Sequence, residues 1–122
     1  MGGPMRPYAC VMADDQDERG PEMESGDGHV VVRIGGEMDV DRAPMLKQAL
    51  LDAVSGPDRP AGVILDLTDL TFCDSSGLNA ILQARRVALE HGRQLRLHAP
   101  SPQVRRLLSL TGAESLFPIT GT

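Results

Sequence analysis

Short runs of aliphatic and β-branched residues alternate with helical patterns along the chain. Residues 29–34, 63–67 and 95–99 are rich in Val, Ile and Leu, and they predict strands. Apolar residues recur at helical spacing over 42–54, from about 75 to His91-Gly92, and from Ser101-Pro102 to Gly112, which predicts three helices. This order predicts an α/β fold whose sheet is at least partly parallel.

Several details of these elements are predicted as well. Asp41 is the expected cap of the first helix, and the continuous apolar run 63–67 is expected to be buried on both faces. Residues 8–12 form an apolar run that suggests an edge strand, and 116–119 form a short apolar tail. One apolar face is predicted for the second helix, along Leu78, Ile81, Leu82, Arg85 and Leu89, with Arg85 at its margin.

The chain has 122 residues, of which 41% are hydrophobic, and this suits one domain with one core over about 29–119. The sequence contains no apolar run long enough for a membrane span and no apolar leader, so we expect a cytoplasmic protein without a membrane partner. With two Phe, one Tyr and no Trp, it lacks a stacking platform for single-stranded nucleic acid. Cys10 and Cys73 are expected to be free thiols.

The net charge of −5 is concentrated in one segment. Residues 13–28 hold seven acidic side chains against one Arg, while the rest of the chain is nearly neutral. This segment also contains four Gly or Pro residues and few apolar ones, so we predict an acidic flexible loop. The near-neutral remainder does not suggest a nucleic-acid-binding face.

The motif Cys73-Asp74-Ser75-Ser76-Gly77 stands where a predicted strand runs into a predicted helix. A serine at a helix N-terminus can cap the helix, or it can present its hydroxyl for modification. A phosphate placed there would meet backbone N–H groups and the positive end of the helix dipole. It would also add a charge of roughly −1.5 to −2 beside Asp74 and repel an apolar or acidic partner surface. Taken alone, the motif favours simple capping and turn formation over a phosphorylation switch.

Three blocks of sequence give this motif a context. Gly36-Glu37-Met38-Asp39 follows the first strong strand, Asp74-Ser75-Ser76-Gly77-Leu78 follows the second, and Ser101-Pro102 with Leu107-Leu108 and Thr111-Gly112 follows the third. In this order and at these separations, they resemble the STAS family, specifically the anti-sigma factor antagonists. The resemblance covers about 30–119. It implies a single STAS domain with a four- to five-stranded mixed sheet and helices mainly on one face.

The resemblance also implies a mechanism of partner switching. In this family the unmodified antagonist binds an anti-sigma factor that is usually also a serine kinase, and this frees the sigma factor. Phosphorylation releases the antagonist, and a separate phosphatase of the PP2C type restores it. The chain itself would need no cofactor, since the kinase would hold Mg-ATP. Family members of this kind are binding modules and not enzymes.

Carried over residue by residue, the resemblance assigns the phosphorylation site to Ser75, with Ser76 as the runner-up. The expected partner-binding residues comprise Gly36, Glu37, Asp39, Asp74, Ser75, Ser76, Gly77 and Leu78. Asp39 has an equally plain interpretation as a turn-forming residue ahead of the first helix.

Three alternative functions can be compared with this one on the residues of the chain. A scaffold that binds its partner constitutively and is never phosphorylated remains open. A serine hydrolase would need a base beside its nucleophile and an oxyanion hole, yet the chain lacks a Gly-x-Ser-x-Gly elbow and a persuasively placed His. Direct nucleotide binding is not supported either, because no Gly-x-x-x-x-Gly-Lys loop is present.

Overall fold

A five-stranded sheet organises the fold. The computed structural model describes residues 22–26, 29–56 and 62–121. The strands are β1 (Glu22–Gly26), β2 (His29–Met38), β3 (Gly62–Cys73), β4 (Gln94–His98) and β5 (Ile119–Thr120). They lie in the order β1-β2-β3-β4-β5, with β1 antiparallel to β2 and the other neighbours parallel. The predicted α/β fold with a mixed sheet of four to five strands is therefore confirmed.

Three helices and one 3-10 turn complete the described part of the chain. These are α1 (Ala43–Ser55), α2 (Ser75–Glu90), α3 (Pro102–Thr111) and the 3-10 turn Glu114–Leu116. Strand residues alternate in burial, and the buried set forms one cluster with the buried residues of all three helices. The helices thus cover one face of the sheet, as predicted. The core is almost entirely aliphatic, with Phe117 as its aromatic member.

The sheet corrects two sequence predictions. Ile64 and Asp66 on β3 are only half-buried, so the run 63–67 is buried on one face and not on both. Part of the predicted loop 13–28 is a strand, because Glu22–Gly26 pairs with β2 from Glu22↔Arg33 to Gly26↔His29. Backbone pairing with a long neighbouring strand is available to this segment whatever its side-chain charge. The predicted strand 8–12 and residues 13–21 and 27–28 lie outside the described residues.

Two helix details were also predicted wrongly. Asp41 does not cap α1; the N-cap position is held by Arg42, whose side chain forms no capping hydrogen bond to the first turn of the helix. Leu89 is 53% exposed, since α2 packs on the core through small residues as well as Leu78 and Ile81. These small residues are Ala80, Ala84 and Ala88. Within the described ranges, no helix combines the length and apolar character that crossing a membrane would need.

Candidate functional site at the ends of two parallel strands

Two turns meet at one edge of the sheet because β2 and β3 are parallel and end in register. Met38 pairs with Cys73, and the Asp74 N–H donates to the Met38 carbonyl oxygen at 3.1 Å. The β2–α1 turn (residues 39–42) and the serine turn (residues 73–77) therefore leave the sheet side by side. This arrangement brings together Asp39 and Asp74, which lie more than thirty positions apart in the sequence.

Asp74 caps α2 and fixes the serine turn. Its Oδ1 accepts hydrogen bonds from the backbone N–H groups of Ser76 at 2.9 Å and Gly77 at 3.2 Å. These N–H groups were expected to be free donors for a phosphate, but the Asp74 carboxylate already accepts from both. A phosphate on the adjacent serine would therefore have to compete with Asp74 for these two donors.

The two serines of the turn differ in accessibility. Ser75, the first residue of α2, is exposed, whereas Ser76 is half-buried. In the described parts of the chain, the Ser75 hydroxyl takes part in no hydrogen bond. Its oxygen is thus open to solvent and to another protein, which fits the assignment of Ser75 over Ser76 as the modified residue.

Asp39 performs the turn-forming role that the sequence left open. Its Oδ1 accepts from the backbone N–H groups of Asp41 at 3.1 Å and Arg42 at 3.3 Å. The carboxylate two positions ahead of the expected cap therefore organises the start of α1. This structural role leaves Asp39 half-buried at the sheet edge, where part of its side chain still faces solvent.

Arg42 ties the same turn back to the irregular end of β2. Its guanidinium donates to the carbonyl oxygens of Gly35 at 2.8 Å and Glu37 at 2.7 Å. The pairing of β2 with β3 shifts register here, and Gly36 adopts a φ of 77°, which a residue with a side chain rarely takes. Gly36 thus contributes a bend that positions Glu37 and Asp39, and sequence reasoning missed Arg42 as the residue that holds it.

Gly77 and Leu78 support the serine turn from below. Gly77 is buried, and a Cβ at this position would lie 2.7 Å from Met38 Cγ and 2.8 Å from Cys73 Sγ. Leu78 is 5% exposed and belongs to the core. The structure thus places both residues beneath the accessible surface of the turn, and their contact with a partner stays a prediction.

Cys73 packs beneath the serine turn, next to Gly77. Its side chain is buried, and burial, with the nearby Asp74 charge as a second cause, raises the pKa of the thiol to about 11. The thiol therefore stays protonated at neutral pH. A protonated, buried thiol is a poor nucleophile, which agrees with the expectation of a free structural cysteine.

The accessible surface around Ser75 combines acidic and apolar side chains. Glu37 is exposed, and Phe72, its cross-strand partner on β3, is 40% exposed. Val40 in the β2–α1 turn is 65% exposed. Sequence reasoning singled out neither apolar residue, because an isolated Val or Phe gives no signal of exposure. An edge of this composition is suited to protein contact.

Among the described residues, none of the three His side chains belongs to the serine turn or to the β2–α1 turn. His91 hydrogen-bonds to the Val87 carbonyl at the end of α2, and His98 contacts the Thr120 hydroxyl. His29 stands at the opposite end of β2. Over the ranges that the structure describes, His, Cys, Asp and Glu side chains form no group of three that could bind a metal ion.

Comparison with known proteins identifies the family. The family model described as the STAS domain matches residues 20–122. The anti-sigma F factor antagonist of Paenibacillus polymyxa is 32% identical over 98 residues, which cover 80% of this chain and 83% of that protein. The chain therefore belongs to the STAS domain family, and the resemblance noted in the sequence is confirmed.

Solved structures agree with this assignment. An anti-sigma factor antagonist from Mycobacterium paratuberculosis superposes with a TM-score of 0.73 at 31% identity, over 84% of this chain and 85% of that one. The unphosphorylated anti-sigma factor antagonist SpoIIAA superposes with a TM-score of 0.72 at 24% identity, covering 84% and 88% of the two chains. The phosphorylated form of the Bacillus SpoIIAA gives 0.66 at 23%, covering 84% and 91%. At these identities SpoIIAA supports the fold.

Proposed function

We propose that this protein is an anti-sigma factor antagonist that works by partner switching. In the unphosphorylated state it binds an anti-sigma factor with serine kinase activity, and this binding frees a sigma factor. Phosphorylation of Ser75 ends the binding, and a phosphatase of the PP2C type reverses it. The observation that carries the proposal is the exposed Ser75 hydroxyl at the first position of α2, directly after the Asp74 cap.

The relatives support the regulatory role. Proteins named as anti-sigma factor antagonists occur among both the sequence relatives and the structural neighbours, and SpoIIAA has been solved in phosphorylated and unphosphorylated forms. In this role the chain acts through binding and brings no cofactor, because the partner kinase holds Mg-ATP. The proposed setting is the bacterial cytoplasm, without nucleic acid or membrane as a direct partner.

The phosphoryl transfer is carried out by the kinase. The Ser75 hydroxyl oxygen forms a bond to the γ-phosphorus of ATP, the bond from that phosphorus to the β-phosphate oxygen breaks, and ADP leaves. The hydroxyl proton passes to a base of the kinase. This chain contributes the position of the hydroxyl, which the α2 cap and the register between β2 and β3 hold at the sheet edge.

Charge and desolvation account for release. The edge already carries the carboxylates of Glu37, Asp39 and Asp74, so a phosphate on Ser75 adds roughly −1.5 to −2 to an acidic surface. The capping N–H groups are occupied by Asp74, which leaves them unable to neutralise the phosphate without breaking the cap. A bound partner would then have to desolvate an uncompensated charge. A 100-fold loss of affinity requires about 2.7 kcal/mol, which a charge of this kind can supply.

Phosphorylation mapping tests the proposal. The purified protein is incubated with ATP, Mg²⁺ and each serine-kinase anti-sigma factor encoded by its source organism, and phosphate is located by intact and peptide mass spectrometry. We expect a single phosphate on Ser75 that Ser75→Ala abolishes. Ser76→Ala is the matched control and should still be phosphorylated, because its hydroxyl is the less accessible one.

Three other outcomes have a defined meaning. A stable complex with one anti-sigma factor but no phosphate would favour the constitutive scaffold over the switch. Phosphate that persists in Ser75→Ala and disappears in Ser76→Ala would move the site to Ser76. Failure to form either a complex or a phosphoprotein with any of these kinases would refute the proposed function and leave the STAS fold unaffected.

A further inference from the structure

Strand β3 extends well beyond its neighbour β4. The two strands pair only from Gly62↔Gln94 to Asp66↔His98, whereas β3 continues to Cys73. On its other side, the end of β3 is still supported by β2, through the Met38↔Cys73 pair and the bond from the Asp74 N–H to the Met38 carbonyl. The side where β4 has ended therefore requires another partner for the main chain just before the serine turn.

The side chain of Gln103 takes the place of the missing strand. Its Oε1 accepts from the Cys73 N–H at 3.0 Å, and its Nε2 donates to the Cys73 carbonyl oxygen at 2.9 Å. One amide group thus satisfies both main-chain groups of a single residue, as an adjacent strand would. Cys73 directly precedes Asp74, the residue that caps α2 and precedes the acceptor Ser75.

Gln103 is itself held by a rigid element. It lies in the first turn of α3, where Pro102 precedes it and the Ser101 hydroxyl accepts from the Val104 N–H at 3.3 Å. Val104 and Leu108 anchor this helix in the core. The Gln103 amide therefore connects the serine turn to α3 through a short and well-supported path.

We propose that Gln103 is a positioning residue that fixes the serine turn for phosphoryl transfer. The proposal rests on the proposed function, since it assumes that Ser75 is the acceptor. The Met38 carbonyl accepts from the Asp74 N–H on one side of the main chain, and the Gln103 amide hydrogen-bonds to Cys73 on the other side. Because the main chain is held from both sides, the turn leaves the sheet in one defined direction. Without Gln103, the Cys73 N–H and carbonyl lose their protein partners and the turn gains freedom on the α3 side.

Two substitutions separate positioning from stability. Gln103→Leu removes both hydrogen bonds with little change in volume. Gln103→Glu keeps an acceptor for the Cys73 N–H but, when ionised, cannot donate to the Cys73 carbonyl. The matched control is Gln48→Leu, which removes an exposed amide that hydrogen-bonds to Asp52 on α1, away from the turn.

The first measurement is amide hydrogen exchange followed by NMR on the free protein. In Gln103→Leu, the Cys73 amide should exchange about tenfold faster, while the exchange rates of the core amides of β2 and β3 stay unchanged. In the control Gln48→Leu, the exchange rates of all these amides, including Cys73, should equal those of the parent. In Gln103→Glu, exchange at Cys73 should approach that of the parent as pH falls below the carboxyl pKa of about 4.3, because the protonated acid can donate to the Cys73 carbonyl. This pH dependence tests the hydrogen bond to the Cys73 carbonyl, and the kinetic measurement below tests positioning.

The second measurement is steady-state phosphorylation by the kinase identified through the mapping experiment. Gln103→Leu should lower kcat about tenfold with KM nearly unchanged, since the docking side chains remain while the hydroxyl is less well aligned. In Gln103→Leu, unchanged protection of the Cys73 amide from exchange, or an equal loss of protection throughout the chain, would overturn the positioning role. An unaltered kcat in a variant whose Cys73 amide exchanges faster would overturn it as well. If no kinase phosphorylates the parent chain, the proposed function fails, and the exchange measurement still decides whether Gln103 positions the turn.

Discussion

The capping role of Asp74 can be separated from its charge by two substitutions. Asp74→Ala removes the acceptor for the N–H groups of Ser76 and Gly77, whereas Asp74→Asn keeps an oxygen at the same position and removes the charge. Losing an N-cap acceptor costs about 0.5–2 kcal/mol, and losing a carboxylate at a helix N-terminus costs a further 0.3–1 kcal/mol or so. We therefore expect Asp74→Ala to lower the free energy of unfolding by about 2 kcal/mol.

Asp74→Asn should lower it by only about 0.5 kcal/mol, because the cap survives and the interaction with the helix dipole is weakened. Urea denaturation followed by circular dichroism at pH 7 gives both values, and an independent thermal melt should show Tm falling by about 4–8 °C per kcal/mol. Asp41→Ala is the matched control. Its carboxylate accepts no hydrogen bond from the described residues, so its stability should change by no more than about 0.5 kcal/mol.

The reasoning would be refuted by two results. Equal destabilisation by Asp74→Ala and Asp74→Asn would mean that the charge, and not the hydrogen-bonding oxygen, holds the turn. A larger loss of stability in Asp41→Ala than in Asp74→Ala would mean that Asp41 caps α1, as the sequence predicted, and that the β2–α1 turn differs from the one described.

Two further predictions concern the floor of the serine turn. Gly77→Ala should lower the free energy of unfolding by about 1–3 kcal/mol, because the added Cβ would overlap Met38 and Cys73. Adding Cys73→Ala to this variant should restore part of the lost stability. A Gly77→Ala protein that is more stable than the parent, as expected at an open helix position, would contradict this close packing. Burial raises the pKa of the Cys73 thiol from 9.0 to about 11, so the unfolded state ionises first as the pH rises. The contribution of this thiol to the free energy of unfolding should be fully present well below pH 9 and fall by about 2 kcal/mol by pH 11. Urea midpoints of the parent and Cys73→Ala between pH 8 and 11 check this, and a pH-independent difference between them would disprove it.

Most of the regular structure could be predicted because its signals are local. The spacing of apolar residues in α1 and α3, and the Ser101-Pro102 start of α3, depend on periodicity and capping within a few residues. β1 was missed for the opposite reason. Two of its five residues are acidic, and it forms a strand through main-chain pairing with β2, which a single sequence does not show.

The candidate site was predictable where it depends on a contiguous motif. Asp74 and Ser75 are adjacent in sequence, and a strand that runs into a helix fixes their geometry. Arg42 and Gln103 act through main-chain atoms of Gly35, Glu37 and Cys73, and the Gln103 contact spans thirty positions. Such contacts depend on how the helices and strands pack, so no local pattern of residue types predicts them.

The affinity of one anti-sigma factor for the two forms of this protein tests the central claim most directly. Titration calorimetry with the kinase identified above would compare the unphosphorylated protein with the same protein phosphorylated on Ser75, in the absence of ATP so that the modification state stays fixed. The account predicts binding of the unphosphorylated form and an affinity at least about 100-fold lower for the phosphorylated form. Equal affinities for the two forms would contradict the switch.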